Sequence, residues 1–279
     1  MQQGNILLKT HLKVLRKLKK KTFETALLTA AIILLMSAGT ARADDGKVIS
    51  LTDALKKALA PLGGVVGKAV PAQVIHDPAK TVSVREGTFE YQFVEGDKYA
   101  GKTHNEVYSK LPAKNGNPLW SHNMGETLVE HIELKPDGSV LINTEIDKEY
   151  GYGVHFDPGL TMAQKVSPGD SWKVESKLTV FHEKTPNKVA YHGTMNATRT
   201  YVGAYELKTP AGRFDACLLM DDYELKVGPA KVKDQRYSFF APGVGKVAEV
   251  EGMRVSAVLI INIHQATAKV LAKYPKQRR

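Results

Sequence analysis

From about Lys80 onward, apolar and polar residues alternate with a period of two and turn signals recur roughly every ten residues, a pattern that confines the chain to antiparallel hairpins. Phe89, Tyr91 and Phe93 alternate with Glu90 and Gln92, and Pro136-Asp137-Gly138-Ser139 is a tight-turn signal between two such segments. Further strands are expected over 171–182, 189–201, 214–226 and 232–240, while 150–169, rich in glycine and proline, reads as an irregular connection. The stretch 255–263 is nearly continuous in apolar residues and is expected to be buried on both faces. Together these segments predict a mainly β fold: a single strongly curved antiparallel sheet, an open half-barrel, over residues 80–265. A basic C-terminal tail, 266–279, would follow it.

One amphipathic helix is expected before the strands, within a helical N-terminal segment, 44–79. Leu51, Ala54, Leu55, Ala58 and Leu59 recur at helical spacing, Ser50 with Asp53 forms a start like a capping box, and Pro61 followed by Gly63-Gly64 stops it. Its apolar stripe needs a partner, either the concave face of the sheet or one end of it.

The first 43 residues carry an address. Lys9, Lys13, Arg16, Lys17 and Lys19–Lys21 form a basic head, Ala26 to Ala38 is a short apolar run, and Ala41-Arg42-Ala43 is a small-residue cleavage triplet. This is a signal peptide cut after Ala43, directing the chain to the periplasm; the alternative is an uncleaved inner-membrane anchor facing the periplasm. The leader holds eight Lys/Arg against one Glu, +7 of the chain's +10, which leaves +3 for residues 44–279. A nearly balanced mature chain argues against nucleic acid as a partner, and membrane contact is expected through the leader alone.

Candidate chemistry is sparse. The single cysteine, Cys217, lies in an apolar strand-like run and reads as a buried small hydrophobe. No GxSxG or HExxH motif is present, so no catalytic residue, metal site or cofactor is expected. His182 and His192 flank a turn almost symmetrically and would become neighbours with a register change of one. Glu145, Asp147 and Glu149 alternate along one strand face; a solvated face is the favoured reading over a pair of hydrolytic carboxylates. For ligand binding, the candidates are the aromatic stripe Phe89, Tyr91 and Phe93, the segment containing Tyr150, Tyr152, His155 and Phe156, and Trp172.

Three motifs in the C-terminal half carry a resemblance. Pro168-Gly169-Asp170-Ser171-Trp172, then Thr209-Pro210-Ala211-Gly212-Arg213-Phe214-Asp215-Ala216-Cys217, then Ala241-Pro242-Gly243-Val244-Gly245-Lys246-Val247 resemble bacterial exported proteins of unknown function with PGxxW, TPAGxFxxC and APGVGxV motifs. These look distantly similar to the periplasmic lipoprotein-carrier half β-barrels. The resemblance implies an extracytoplasmic sheet that holds a lipid-like or other apolar ligand. The leading expectation is a non-enzymatic periplasmic protein that binds such a ligand, or an envelope partner protein, on the concave face of its sheet. A structural or assembly factor of the cell envelope without a ligand is the alternative, and a hydrolase of envelope polymers the third reading.

Overall fold

A computed structural model describes residues 46–95, 100–228, 230–257 and 261–275; the leader and its cleavage triplet lie outside the described residues. The helix starts two residues later than the Ser50 cap that its sequence pattern suggests. Helix α1 is Asp53–Leu59, and its N-cap is Thr52, whose hydroxyl accepts a hydrogen bond from the Leu55 N–H at 3.3 Å. A 3-10 turn, Ala60–Val65, follows, then strand β1 (Val66–Val70) and a short helix α2 (Pro78–Val82) capped by Asp77.

Strands β2 (Gly87–Glu95), β3 (Thr103–Lys114), β4 (Asn117–Met124), β5 (Leu128–Leu134), β6 (Val140–Asp147) and β7 (Tyr152–Met162) form the first half of an antiparallel meander. The second half is β8 (Ser171–His182), β9 (Thr185–Thr209), β10 (Gly212–Val227), β11 (Ala230–Ala241), β12 (Gly245–Ala257) and β13 (Ile261–Lys273). Each strand pairs with the next, and β13 pairs back onto β2, with Lys269 opposite Phe93 and Leu271 opposite Tyr91. The sheet is therefore a closed twelve-stranded barrel, and the expected open half-barrel is corrected by that last ladder. β1 joins as a thirteenth strand on the outer part of β9, opposite Ala204 to Leu207.

Two local expectations change with it. The stretch after Tyr150, expected to be irregular, is mostly β7. Residues 266–273, expected in a tail, continue β13 with Ala268 and Leu271 fully buried. The expected burial of 255–263 on both faces lies outside the described residues.

Alternation sorts the side chains. In β8, Val174, Ser176, Leu178 and Val180 are buried in the barrel while Lys173, Glu175 and Lys177 are exposed. The outward rows of β9 and β11 are likewise polar, with Thr194, Asn196, Thr198, Lys231 and Lys233 exposed. A barrel embedded in lipid presents an apolar band there instead. Inside, one end is filled by Met124, Leu128, Phe156, Leu178, Met195 and their neighbours. The other end holds Phe89, Tyr91, Trp120, Ile132 and Met162. Four consecutive β10 residues, Ala216–Leu219, are buried at this second end, which requires cover on both faces. The N-terminal segment supplies the cover: Leu59 and Leu62 pack in the same apolar cluster as Leu207, Leu218 and Phe239. Their burial is worth about 1.5–3 kcal/mol per large side chain.

A strap, residues 71–86, crosses this end of the barrel. The Ile75 and Val166 backbones exchange hydrogen bonds of 2.9 and 3.2 Å, the Tyr201 hydroxyl donates to the Gln73 carbonyl, and the Arg85 guanidinium donates to the Gly243 carbonyl at 2.8 Å. Gly245 has φ +100°, and a Cβ there would stand 2.8 Å from the Val82 carbonyl, so the β11–β12 turn needs glycine to let the strap pass.

At Gly193 on β9, an added Cβ would run into the Lys226 carbonyl oxygen of β10. Because the obstacle is backbone, Gly193→Ala is expected to cost about 1–3 kcal/mol, read as a lowered urea midpoint. An unchanged midpoint would mean that the two strands do not meet in this register.

Candidate functional site

Between the two apolar ends lies a layer of ionisable side chains. Every strand from β9 to β13 and from β3 to β6 contributes to it, because the inward parity set by the ladders falls on charged residues. On β9 and β10, Arg199 donates to both oxygens of Asp221, at 2.6 and 3.1 Å. Beside them, Arg236 of β11 donates to Glu251 of β12 at 2.8 Å. Lys269 lies between Glu249 at 2.9 Å and Glu106 at 2.7 Å, and Lys246 donates to Glu249 at 2.7 Å.

His122 closes the layer on the other side. Its Nε2 lies 2.9 Å from Glu106 and its Nδ1 3.0 Å from Glu130, while its ring stacks on Tyr108 at 4.0 Å. Both ring nitrogens face carboxylates, so both act as donors and the ring is held as imidazolium. Burial alone would push its pKa down, and the hydrogen bonds to Glu106 and Glu130 outweigh that and raise it. Burial likewise opposes charge on Glu106, yet Lys269, Lys246 and the two histidines hold its pKa well below the ordinary value.

Glu145, on β6 opposite Glu130, behaves differently. It is 5 % exposed and accepts no hydrogen bond among the described residues. Burial is the main cause of its pKa rising to about 8; Glu130, Glu251 and Asp147 add to the rise, and Arg236 works against it.

A cavity of about 90 Å³ opens beside this carboxyl. His122, Glu130, Glu145, Arg236 and Lys246 form part of its ionisable wall, and Ile142, Phe156, Leu160 and Met162 part of its apolar one. Val82, on the strap, reaches it as well. Helix α1 does not line it.

The residues singled out from the sequence are spread around this site. Phe89, Tyr91 and Phe93 do face the interior and are buried, with the Tyr91 hydroxyl donating to the Lys246 carbonyl at 2.9 Å, but they stand behind the cavity wall. Phe156 lines the cavity. Tyr150 and Tyr152 pack at the end away from the strap, with Tyr152 against His182, and His155 is exposed on the outer face beside Thr144. Trp172 donates its indole N–H to the Thr161 carbonyl at 3.3 Å and stacks near Arg199, bracing the barrel wall. His182 pairs with Thr185 and His192 with Thr179, so the two imidazoles are not cross-strand neighbours. Cys217 is buried, its thiol pushed up to about 12 by burial.

Glu145 and Asp147, expected on a solvated face, point into the barrel and are buried, which corrects that reading; Lys148 is the exposed one. The ionised layer was missed because lysine, glutamate and aspartate occupy both faces of β10–β12, so residue type alone does not say which parity is inside.

No family model matches the chain, and no curated protein is significantly similar to it in sequence. Among solved structures, a "putative exported protein with YmcC-like fold" from Bacteroides fragilis is similar at 14% identity and a TM-score of 0.41, covering 74% of this chain and 100% of that one. A "putative lipoprotein" from Parabacteroides distasonis gives 13% identity and a TM-score of 0.34, with 72% and 98% covered. The hypothetical lipoprotein YmcC from Escherichia coli gives 9% identity and a TM-score of 0.33, with 80% and 98% covered. At these levels of likeness, function has to be read from the site itself.

Proposed function

We propose that this chain is an exported, non-catalytic binding protein of the periplasm that holds one small polar ligand inside its barrel. The observation that carries the reading is the cavity of about 90 Å³ with the buried Glu145 carboxyl on its wall, which accepts no hydrogen bond among the described residues. A buried polar group without a partner costs about 1–3 kcal/mol, and a bound ligand would remove that cost. The volume argues against the lipid-like ligand expected from the sequence. Sites for drug-sized ligands take about 300–1,000 Å³, and a dry cavity of about 150 Å³ holds benzene. It argues equally against a hydrolase: Glu130 and Glu145 have pKa values displaced in opposite directions, as an acid and base pair would, but a sugar ring does not fit between them.

The test uses protein exported from the full-length gene. Intact mass beginning at Asp44 would support the periplasmic address, and a mass retaining the leader would overturn it. Denaturing extraction followed by mass spectrometry should release a small polar molecule, and Leu160→Phe, which narrows the cavity, should reduce its yield. Co-purification of acyl lipid, or no release together with no thermal stabilisation by any small polar compound, would overturn the binding reading.

A further inference from the structure

Resting on that reading, we infer that the cavity is a site for a small organic ammonium ion, with the Glu145 carboxylate as its counter-ion and Tyr108, Tyr223 and Phe156 among the side chains around its alkyl part. The charge pattern on the cavity wall selects the sign. Each cation there already has a carboxylate: Arg199 has Asp221 at 2.6 Å, Arg236 has Glu251 at 2.8 Å, Lys246 has Glu249 at 2.7 Å, and His122 has Glu130 at 3.0 Å. An anion would meet only cations whose charge is already matched and would be repelled by Glu130, Asp221 and Glu249 beside them. Three of the four cavity carboxyls, Glu130, Asp221 and Glu249, are matched in the same pairs, and Glu145 is the fourth. An ammonium group donates N–H bonds to it without disturbing any existing contact.

The size of the guest follows from the volume. About 90 Å³ is smaller than a cavity that accommodates benzene, so a two- or three-carbon amine fits and a longer chain does not.

Binding should also be linked to protons. Glu145 faces Glu130 of β5, Asp147 of its own strand, Arg236 of β11 and Glu251 of β12, and below about pH 8 it carries a proton that an ammonium ion must displace. Affinity is therefore expected to rise about tenfold per pH unit up to about pH 8 and to level off above it. The other ionisable groups on the wall, His122, Arg199, Asp221, Lys246 and Glu249, are held in the ion pairs named above, so the proton linkage of Glu145 is read as the difference between wild type and Glu145→Gln.

The experiment is calorimetric titration of the mature protein with ethylammonium chloride and, separately, with ethanol as the uncharged isostere, at pH 6, 7 and 8. We expect 1:1 ethylammonium binding, little response to ethanol, and at least a tenfold loss of affinity in Glu145→Gln, whose folding is checked by its thermal transition. Equal binding of ethanol and ethylammonium, or ethylammonium binding unaffected by Glu145→Gln or by pH, would overturn the ammonium assignment while leaving small-ligand binding in place. Binding of neither probe, with nothing released on extraction, would remove both.

Discussion

Glu106→Gln should destabilise the barrel by about 3–5 kcal/mol, the range seen when one partner of a buried ion pair is removed. Glu106 is fully buried and takes Lys269 at 2.7 Å, His122 at 2.9 Å and His104 at 3.0 Å, so the amide leaves three donors facing a group that can no longer match their charge. Because Lys269 lies on the last strand and Glu106 on β3, the loss falls where the ring closes. Adding Lys269→Met should recover part of it, with an interaction term of about 0.5–3 kcal/mol in a double-mutant cycle from urea unfolding. Strict additivity would mean that the pair does not exist. The sign with pH is also fixed. The folded pKa of Glu106 lies below its unfolded value, so its contribution is present above about pH 4.5 and is lost as pH falls through the folded pKa.

Glu145→Gln should do the opposite and stabilise the protein at neutral and alkaline pH. The folded pKa of Glu145 is raised from 4.5 to about 8, so between those values the native state binds a proton that the unfolded chain has released. Stability then falls with rising pH in that window by up to about 1.4 kcal/mol per pH unit, and the glutamine variant escapes the penalty. Wild type and variant should unfold alike near pH 4.5 and diverge by a few kcal/mol at pH 8. Thermal or urea midpoints across this range check it; parallel curves would mean that Glu145 is solvated or paired. Asp234, also raised chiefly by burial, contributes in the same direction to both proteins and so cancels in the comparison.

Much of the fold was legible because antiparallel strands report themselves locally. The alternation of Phe89, Tyr91 and Phe93 identified an inward row, and Pro136 to Ser139 identified a turn, where Asp137 accepts from the Ser139 N–H at 2.9 Å. Closure was not legible. It depends on Phe93 meeting Lys269, a pairing between the ends of the domain that no local signal encodes, and on whether accumulated twist brings those edges together. The site failed for a related reason. Parity puts Phe156 inside and His155 outside, though both were chosen from one aromatic-rich stretch. It also puts Glu145 inside, against the usual preference of acids for solvent. A charged row becomes acceptable in the interior when strands distant in sequence supply its partners, as Arg236 and Lys269 do here.

The barrel's interior carries a layer of ion pairs, and beside its small cavity stands Glu145, which accepts no hydrogen bond among the described residues. Carboxyl carbon NMR of the folded protein, with the Glu145 signal assigned by its disappearance in Glu145→Gln, tests this most directly. A titration midpoint near 8 is predicted; a midpoint near 4.5 would contradict it.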